Sequence, residues 1–356
     1  MFLDGSERDS FRFEKVDDLT AWRASGESLE GNVASERVVA DEWNFVVGPG
    51  ASLFERLRQV PAKLGEISQI FVGLQTSADT VFLFKNTERM ERSLTEVVSK
   101  ELDKVLQIES SLLKPVVRSG SIGRFWAHPT ATVLFPYEFG SGKARLLSQK
   151  VMETQFPHAW GYLTENKQLL AEREHGKFAD TGWYQLYPKN LDVWEQPKIM
   201  LPYMITRLSA YYDEHSNYFV NVTTGGFMVR TDERYGSLRY ITGLLNSNLL
   251  DWFLKNVSTN FNSGYFAANK QFLVQLPICT IDFSDPEDVA RHDRMVELVE
   301  RMLSLHERLA GARIGRERTV IGHQIEATDR QIDHLVYELY GLTDEEIGIV
   351  EGATAR

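Results

Sequence analysis

SQIFVGLQTSADTVFLF, residues 68–84, is the stretch on which the reading of this chain turns. Two short runs rich in Ile, Val and Phe flank the linker Gln75–Asp79, and Gly73 stands just before it. β-Branched and aromatic residues favour strands, and Gly with small polar residues between such runs favours a turn. The stretch is therefore expected to form a buried β-hairpin. Its tip, Gln75-Thr76-Ser77, carries uncharged donors and acceptors of the kind that read the edge of a base. The same side chains could instead hydrogen-bond only within their own turn.

Around that stretch the chain has 356 residues, 43% of them hydrophobic and 25% charged, the composition of a folded globular protein. Its length fits two ordinary domains or one large one. The longest apolar runs fall far short of the roughly 20 residues that span a bilayer. The N-terminus MFLDGSERDS has no apolar stretch of a signal peptide. One cysteine, Cys279, excludes an internal disulfide framework and a Cys-rich zinc site, and fits a reducing compartment. A cytoplasmic protein without a membrane partner is expected.

The net charge of −11 is unevenly spread. Residues 1–110 hold 13 Lys and Arg against 20 Asp and Glu, residues 111–280 hold 17 against 13, and residues 281–356 hold 9 against 17. The segment 111–150 has six basic groups and one acid. Screening over about 8 Å lets an acidic chain present one positive surface. Lys114, Arg118, Arg124, Lys143 and Arg145 are thus candidate phosphate ligands, against the plainer view that they solvate a surface.

The pattern divides the chain into a lead-in over 1–60, a mixed α/β module over 61–280 and a helical hairpin with its tail over 281–356. Trp43 and Phe45 suggest a docking segment. Ser52 and Glu55 fit a capping box for a helix that Pro61 stops. Leu94, Val97, Val98, Leu102, Val105 and Leu106 stand at helical spacing, whereas KPVVRSGSIGRFW (114–126) reads as loop and ATVLFPY (131–137) as strand. Two helices are expected between Lys143 and Glu174. Strands are expected at Trp183–Tyr187, Ile199–Leu201, Tyr218–Val222 and Phe227–Arg230, with turns at Asp213–Ser216 and Thr223–Gly226. Leu238, Ile241, Leu245, Leu249 and Trp252 make the stripe of one amphipathic helix. Met295, Leu298, Met302, Leu305 and Leu309 repeat at coiled-coil spacing, and a helix around Ile325–Leu339 folds back on them. The fold class is α+β, short strands and hairpins followed by an antiparallel helical hairpin.

Catalytic patterns are sparse. There is no phosphate loop of the G-x-x-x-x-G-K-[ST] type, no G-x-G-x-x-G and no H-E-x-x-H. Glu165-Asn166-Lys167, with Glu153 upstream, resembles the tail of a metal-dependent nuclease pattern, but Glu and Lys at this spacing are common in any charged helix. Thr224-Gly225-Gly226 reads as a turn, and Cys279 as packing.

Several stretches together resemble the TaqI-like C-terminal specificity domain of adenine-specific DNA methyltransferases and fused restriction–methylation enzymes. IFVGLQTSADTVFLF is similar to its "G-I-x-T-G-x-N-x-A-F" signature, and LLKPVVRSGSIGRFW (112–126) to "L-K-P-x-L-R-G-x-D-I-x-R-Y". AWGYLTENKQLLAERE (159–174) resembles "Y-L-x-x-N-K-x-x-L-x-x-R", and WEQPKIMLPYM (194–204) resembles "x-P-K-I-x-x-P-x-I". YITGLLNSNLLDWFLK (240–255), QFLVQLPI (271–278) and IDHLVYELYGLTDEEI (332–347) complete the order. Ser77 and Asp79 replace the family's Gly and Asn, Ser119 and Ser121 its Gly and Asp, and Phe125 its Tyr. The Asn/Asp-Pro-Pro-Tyr motif and Gly-rich loop of the catalytic half are absent from this sequence. The resemblance implies a specificity module that binds double-stranded DNA through Gln75, Thr76 and Ser77. S-adenosylmethionine is expected only in a methyltransferase catalytic domain or subunit that partners it. Two rival readings are an assembly subunit of a restriction or phage-defence complex, and a nuclease using Glu153, Glu165 and Lys167.

Overall fold

The computed structural model describes residues 9–16, 19–38, 45–85, 93–180, 182–215, 219–220, 227–231, 235–261, 264–313 and 315–354. β1 (Ser10–Lys15) and β2 (Leu29–Ala34) pair antiparallel with α1 (Leu19–Ser25) between them. Trp43 lies outside the described residues. α2 (Ala51–Arg58) occupies the expected helix, but Gly50 holds the N-cap position and the Ser52–Glu55 capping box does not form.

After α3 (Leu64–Ile67) comes β3 (Ser68–Val72), and here the structure corrects the hairpin. β3 pairs with residues Phe227–Thr231, whereas β4 (Leu83–Lys85) pairs in another sheet with residues 131–133. Between them the chain makes one helical turn, α4 (Asp79–Phe82). The buried run Val81–Phe84 is shared between that turn, which buries Val81 and Phe82, and β4, which buries Leu83 and Phe84.

The helix expected near 93–108 is also corrected, to a hairpin of β5 (Leu94–Ser99) and β6 (Lys104–Glu109). In β5 the buried residues are Thr95, Val97 and Ser99, a period of two that prevails over the helical spacing because Val and Thr are stiff at χ1. The basic stretch 114–126 is mostly strand rather than loop. β7 (Leu113–Gly123) pairs with β8 (Trp126–Leu134) with two register shifts, and the one between Val117 and Ile122 absorbs Ser119, Gly120 and Ser121. The turn between them requires Gly123, since a Cβ there would lie 2.2 Å from the Trp126 indole.

β9 (Tyr137–Gly140) and β10 (Lys143–Leu146) form a small hairpin. Three helices follow where two are expected: α5 (Gln149–Gln155), α6 (Pro157–Glu165) and α7 (Lys167–Gly176), with Asn166 as the extra break. Trp183–Tyr187 is not a strand; Trp183, Tyr184 and Leu186 are buried by an irregular segment. β11 (Lys198–Leu201), β12 (Met204–Ile205), β13 (Tyr211–Asp213), β14 (Phe219–Val220) and β15 (Phe227–Thr231) come next. The expected turn Thr223–Gly226 lies outside the described residues.

The sheet ordered β13-β11-β15-β3 lies between two cores. Ile70, Ile199 and Leu201 enter one, and Phe71 and Met200 the other. Alternation sends neighbours to opposite faces, so a strand buried on both sides reads as a continuous apolar run. The second core is closed by the sheet β14-β7-β8-β4, with β14 parallel to β7, and by α6 and α7.

The single helix expected over 238–252 is two, α8 (Leu238–Leu245) and α9 (Asn248–Val257), each capped by a serine hydroxyl, from Ser237 and Ser247. At the break, buried Asn246 bonds both backbone groups of Ala210, at 2.8 and 2.9 Å. β16 (Asn260–Phe261), β17 (Tyr265–Ala267) and α10 (Lys270–Leu273) lead to the C-terminal helices. α11 (Pro286–Gly311) and α12 (Gly315–Leu339) pack on one another as expected, with Met295, Leu298, Met302 and Leu305 buried. A Cβ on Gly243 would fall 2.3 Å from Met295 Sδ, so the glycine sets the close approach of α8 to α11. α13 (Asp344–Thr354) is a further helix. The architecture is the expected mixture of small sheets and helices with a helical C-terminus.

Candidate nucleic-acid interface

The three tip residues have three different environments. Thr76 is buried and turned inward, its hydroxyl bonded to the Asp79 carboxylate and accepting from Ala78 N–H, so its side chain braces the tip. Gln75 is half-buried, and its carbonyl accepts from Tyr187 N–H at 3.1 Å. Ser77 is exposed, with a left-handed φ of 53°, and donates to Glu174 Oε1 at 2.9 Å.

Arg173 holds this tip from beneath. Its Nη1 donates to Thr76 O at 2.7 Å, its Nη2 to Trp183 O and Gln185 O at 2.9 and 2.8 Å, and its Nε to Leu170 O at 2.8 Å. The guanidinium lies over the rings of Phe82 and Phe178, at 5.3 and 4.6 Å from their centroids. Burial lowers its pKa to about 10, with Tyr137 and Glu174 acting the other way, so it stays cationic at neutral pH. Three loops thus converge: the tip, the end of α7, and residues 182–190. Lys177 lies over the Tyr187 ring at 4.9 Å, and Lys189 is exposed on the same loop. Neither lysine, nor Arg173, stood out as a site residue in the sequence. The signals available were the final arginine of the family-like pattern over 159–174, which is Arg173, and the end of a helix at Glu-His-Gly followed by a basic, aromatic loop.

The candidate phosphate ligands do not share one surface role. Lys143 and Arg145 are exposed on β10, whose Ala144 N–H donates to Asp192 Oδ1 at 2.7 Å, tying that hairpin to the chain just after Lys189. Lys114 and Arg118 are half-buried on β7, where the Ser121 hydroxyl bridges Arg118 N and O. Arg124 is engaged within the protein. It sits in the β7–β8 turn, pairs through both terminal nitrogens with the two oxygens of Asp329 on α12, and also donates to Asn246 O. With side chains only 15% and 20% exposed, this pair joins the basic segment to the C-terminal helices. Arg207 and Asn248 extend the network: Arg207 donates to Asn248 Oδ1 at 2.5 Å, and Asn248 N–H to Asp333 Oδ1 at 2.7 Å. Burial raises the Asp333 pKa to about 6. Burial, then the Arg124 charge, lowers that of His306 to about 4.

Lys198, from the family-like Pro-Lys-Ile segment, is also internal. It donates to Asp213 Oδ2 at 2.6 Å, both side chains 1% exposed, and burial lowers its pKa. The nuclease-like residues are engaged elsewhere. Lys104 Nζ bonds both Glu165 oxygens at 2.7 Å, Glu153 accepts from Gln149, and Lys167 lies over the Trp183 ring. Among the described residues, no group of three or more His, Cys, Asp or Glu is placed to hold a metal, and no helix is long and apolar enough to cross a membrane.

The loop-bearing segment has a family counterpart. Residues 160–278 match the TaqI-like C-terminal specificity domain. The whole chain is similar to the type II restriction enzyme and methyltransferase RM.Eco57I of Escherichia coli, 24% identical over 99% of this chain and 37% of that protein. It is also similar to the type II methyltransferase M.BanIII of Aneurinibacillus aneurinilyticus, 26% identical over 42% of this chain and 24% of that protein. The chain therefore spans well under half the length of these relatives. The solved structure of the type IIG restriction endonuclease BpuSI aligns with a TM-score of 0.42 and 13% identity, over 88% of this chain and 36% of that one. The specificity-domain match contains Arg173, Lys177, Lys189, Lys198 and the Asn246 break. The tip, Arg124 and the β9–β10 hairpin lie outside it.

Proposed function

We propose that this chain recognises a specific sequence in double-stranded DNA as the specificity part of an adenine-directed restriction–modification methyltransferase. In this reading recognition belongs to residues 61–280, and methyl transfer and S-adenosylmethionine binding belong to another domain or subunit. The observation that carries it is the match over 160–278, because that segment supplies the arginine and lysines gathered around the tip. Contacts to phosphates set register, and contacts to base edges set sequence. Gln75 and Ser77 are assigned to base edges, and Lys143, Arg145, Lys114 and Arg118 to phosphates, while Thr76 supports the tip.

The experiment is a selection from randomised duplexes by the chain together with its methyltransferase part, wild type against Gln75→Ala. A glutamine amide that meets both polar atoms of adenine is worth about 1–3 kcal/mol of discrimination. Gln75→Ala should relax one position of the site and leave non-specific affinity nearly unchanged, whereas Lys143→Ala and Arg145→Ala should each lower the salt slope by about one unit. Failure of the wild type to enrich any site would refute the reading. Identical sites from wild type and Gln75→Ala would remove that residue from readout.

A further inference from the structure

The three loops that meet at Arg173 share an uncommon backbone. Ser77, Glu174, His175 and Asn190 all adopt left-handed φ values, 53°, 50°, 60° and 56°, and Gly176 follows at 80°. L-residues are rarely held there unless the surroundings over-determine them, and such strain gathers at ligand-facing sites. Here the restraints are visible. Arg173 joins Thr76 of the tip to Trp183 and Gln185 of the neighbouring loop. Tyr187 N–H donates to Gln75 O, and Asn190 Nδ2 donates to Val72 O at 3.3 Å. A planar guanidinium has five donors in a fixed fork and can hold several carbonyls at once, which an ammonium on a flexible stem does less well.

We propose that Arg173 is a positioning residue for DNA readout: it ties the Gln75–Ser77 tip to Trp183 and Gln185, at the start of the loop whose Tyr187–Asn190 end is bonded to Gln75 and Val72, so that tip and loop meet a duplex as one rigid surface. The proposal rests on the reading of this chain as a DNA recognition module. It makes the Tyr187–Asn190 loop part of the recognition surface, with exposed Lys189 and Lys177 at its outer side, where backbone phosphates flank the bases being read. Arg173 itself touches no base, since its side chain is buried.

The test compares the full chain and its methyltransferase part, wild type against Arg173→Met, Arg173→Lys and Asn190→Ala. Three quantities are read: the sites recovered from a randomised duplex pool, the affinity and salt slope on a fixed non-cognate duplex, and hydrogen exchange at the Tyr187 amide. All three variants should keep the salt slope and non-cognate affinity. Exchange at Tyr187 should rise by about tenfold or more as the loop opens locally. The recovered site should lose preference at neighbouring positions, less in Arg173→Lys than in Arg173→Met. If Arg173→Met does not fold, the other two variants decide on the same readings. Faster exchange with an unchanged site makes Arg173 a structural residue only and overturns the proposal, as does unchanged exchange. A wild type that recovers no site refutes the DNA reading itself, before any variant is compared.

Discussion

Arg124 separates a structural arginine from a phosphate ligand, and Arg124→Met distinguishes the two. The substitution keeps much of the side-chain volume and removes the cation. Its two terminal nitrogens face both Asp329 oxygens, and one of them also bonds Asn246 O. Removing one partner of a buried ion pair costs about 3–5 kcal/mol, because the other charge stays behind. Two features place this site near the lower bound. Asp329 retains 20% of its side-chain exposure, and Arg207 stands 4.0 Å from its second oxygen. A loss of about 3 kcal/mol is therefore expected, lowering the urea midpoint by about 1 M if the m-value is near 3 kcal/mol/M. The salt slope of DNA binding should not change, since the guanidinium is engaged between β7–β8 and α12. A stability change below about 0.5 kcal/mol together with a slope reduced by one unit would show that Arg124 holds a phosphate and that the network does not form in solution.

Lys198→Met should cost about 3–5 kcal/mol by taking the cation from buried Asp213, and adding Asp213→Leu should restore part of it; a double variant no better than the single, by urea unfolding, would contradict this. Asp333 and His306 should make stability respond to pH in opposite senses. Asp333, raised to about 6 from 3.8, keeps its proton in the folded chain where the unfolded chain has lost it, so its contribution is full below about pH 4 and is lost as pH rises through 6. His306, lowered to about 4 from 6.5, adds stability above pH 6.5 that is lost as pH falls towards 4. Asp333→Asn preserves an acceptor for Asn248 N–H, so relative to wild type it should gain up to about 3 kcal/mol between pH 4 and 6; parallel stability curves would reject the assignment. Leu305→Asp should place a charge in the α11 seam, where Leu305 is buried, and cost several kcal/mol by thermal or urea unfolding.

The C-terminal helices were legible because α11 carries a long apolar repeat, an N-terminal Asp-Pro and nothing to interrupt it. β11 was legible because a strand buried on both faces is an unbroken apolar run. The hairpin at 68–84 was not, since two strands separated by a few residues pair together only if no distant partner competes, and β15 and β8 are distant partners. Local spacing also misled at 93–108, where a period of two and a period near 3.6 shared the same valines and leucines. At the candidate site, the basic character of 111–150 was visible, but whether a given arginine faces water or a carboxylate depends on residues far along the chain. Arg124 and Asp329 are 205 positions apart. The role of Arg173 was hidden for a related reason: the family-like pattern over 159–174 ends on this arginine, but its hydrogen bonds end on main-chain oxygens, which leave no mark on the sequence.

That same feature bears on how such a surface could change. The clamp at Arg173 recognises the carbonyls of Leu170, Thr76, Trp183 and Gln185, groups that every amino acid possesses. Replacing an exposed side chain on these loops, such as Ser77 or Lys189, leaves the clamp's donors and acceptors in place. A surface anchored through its backbone can thus exchange one set of outward side chains for another while its geometry is inherited intact. If these loops read DNA as proposed, new target preferences become accessible by substitution alone, without rebuilding the scaffold that displays them.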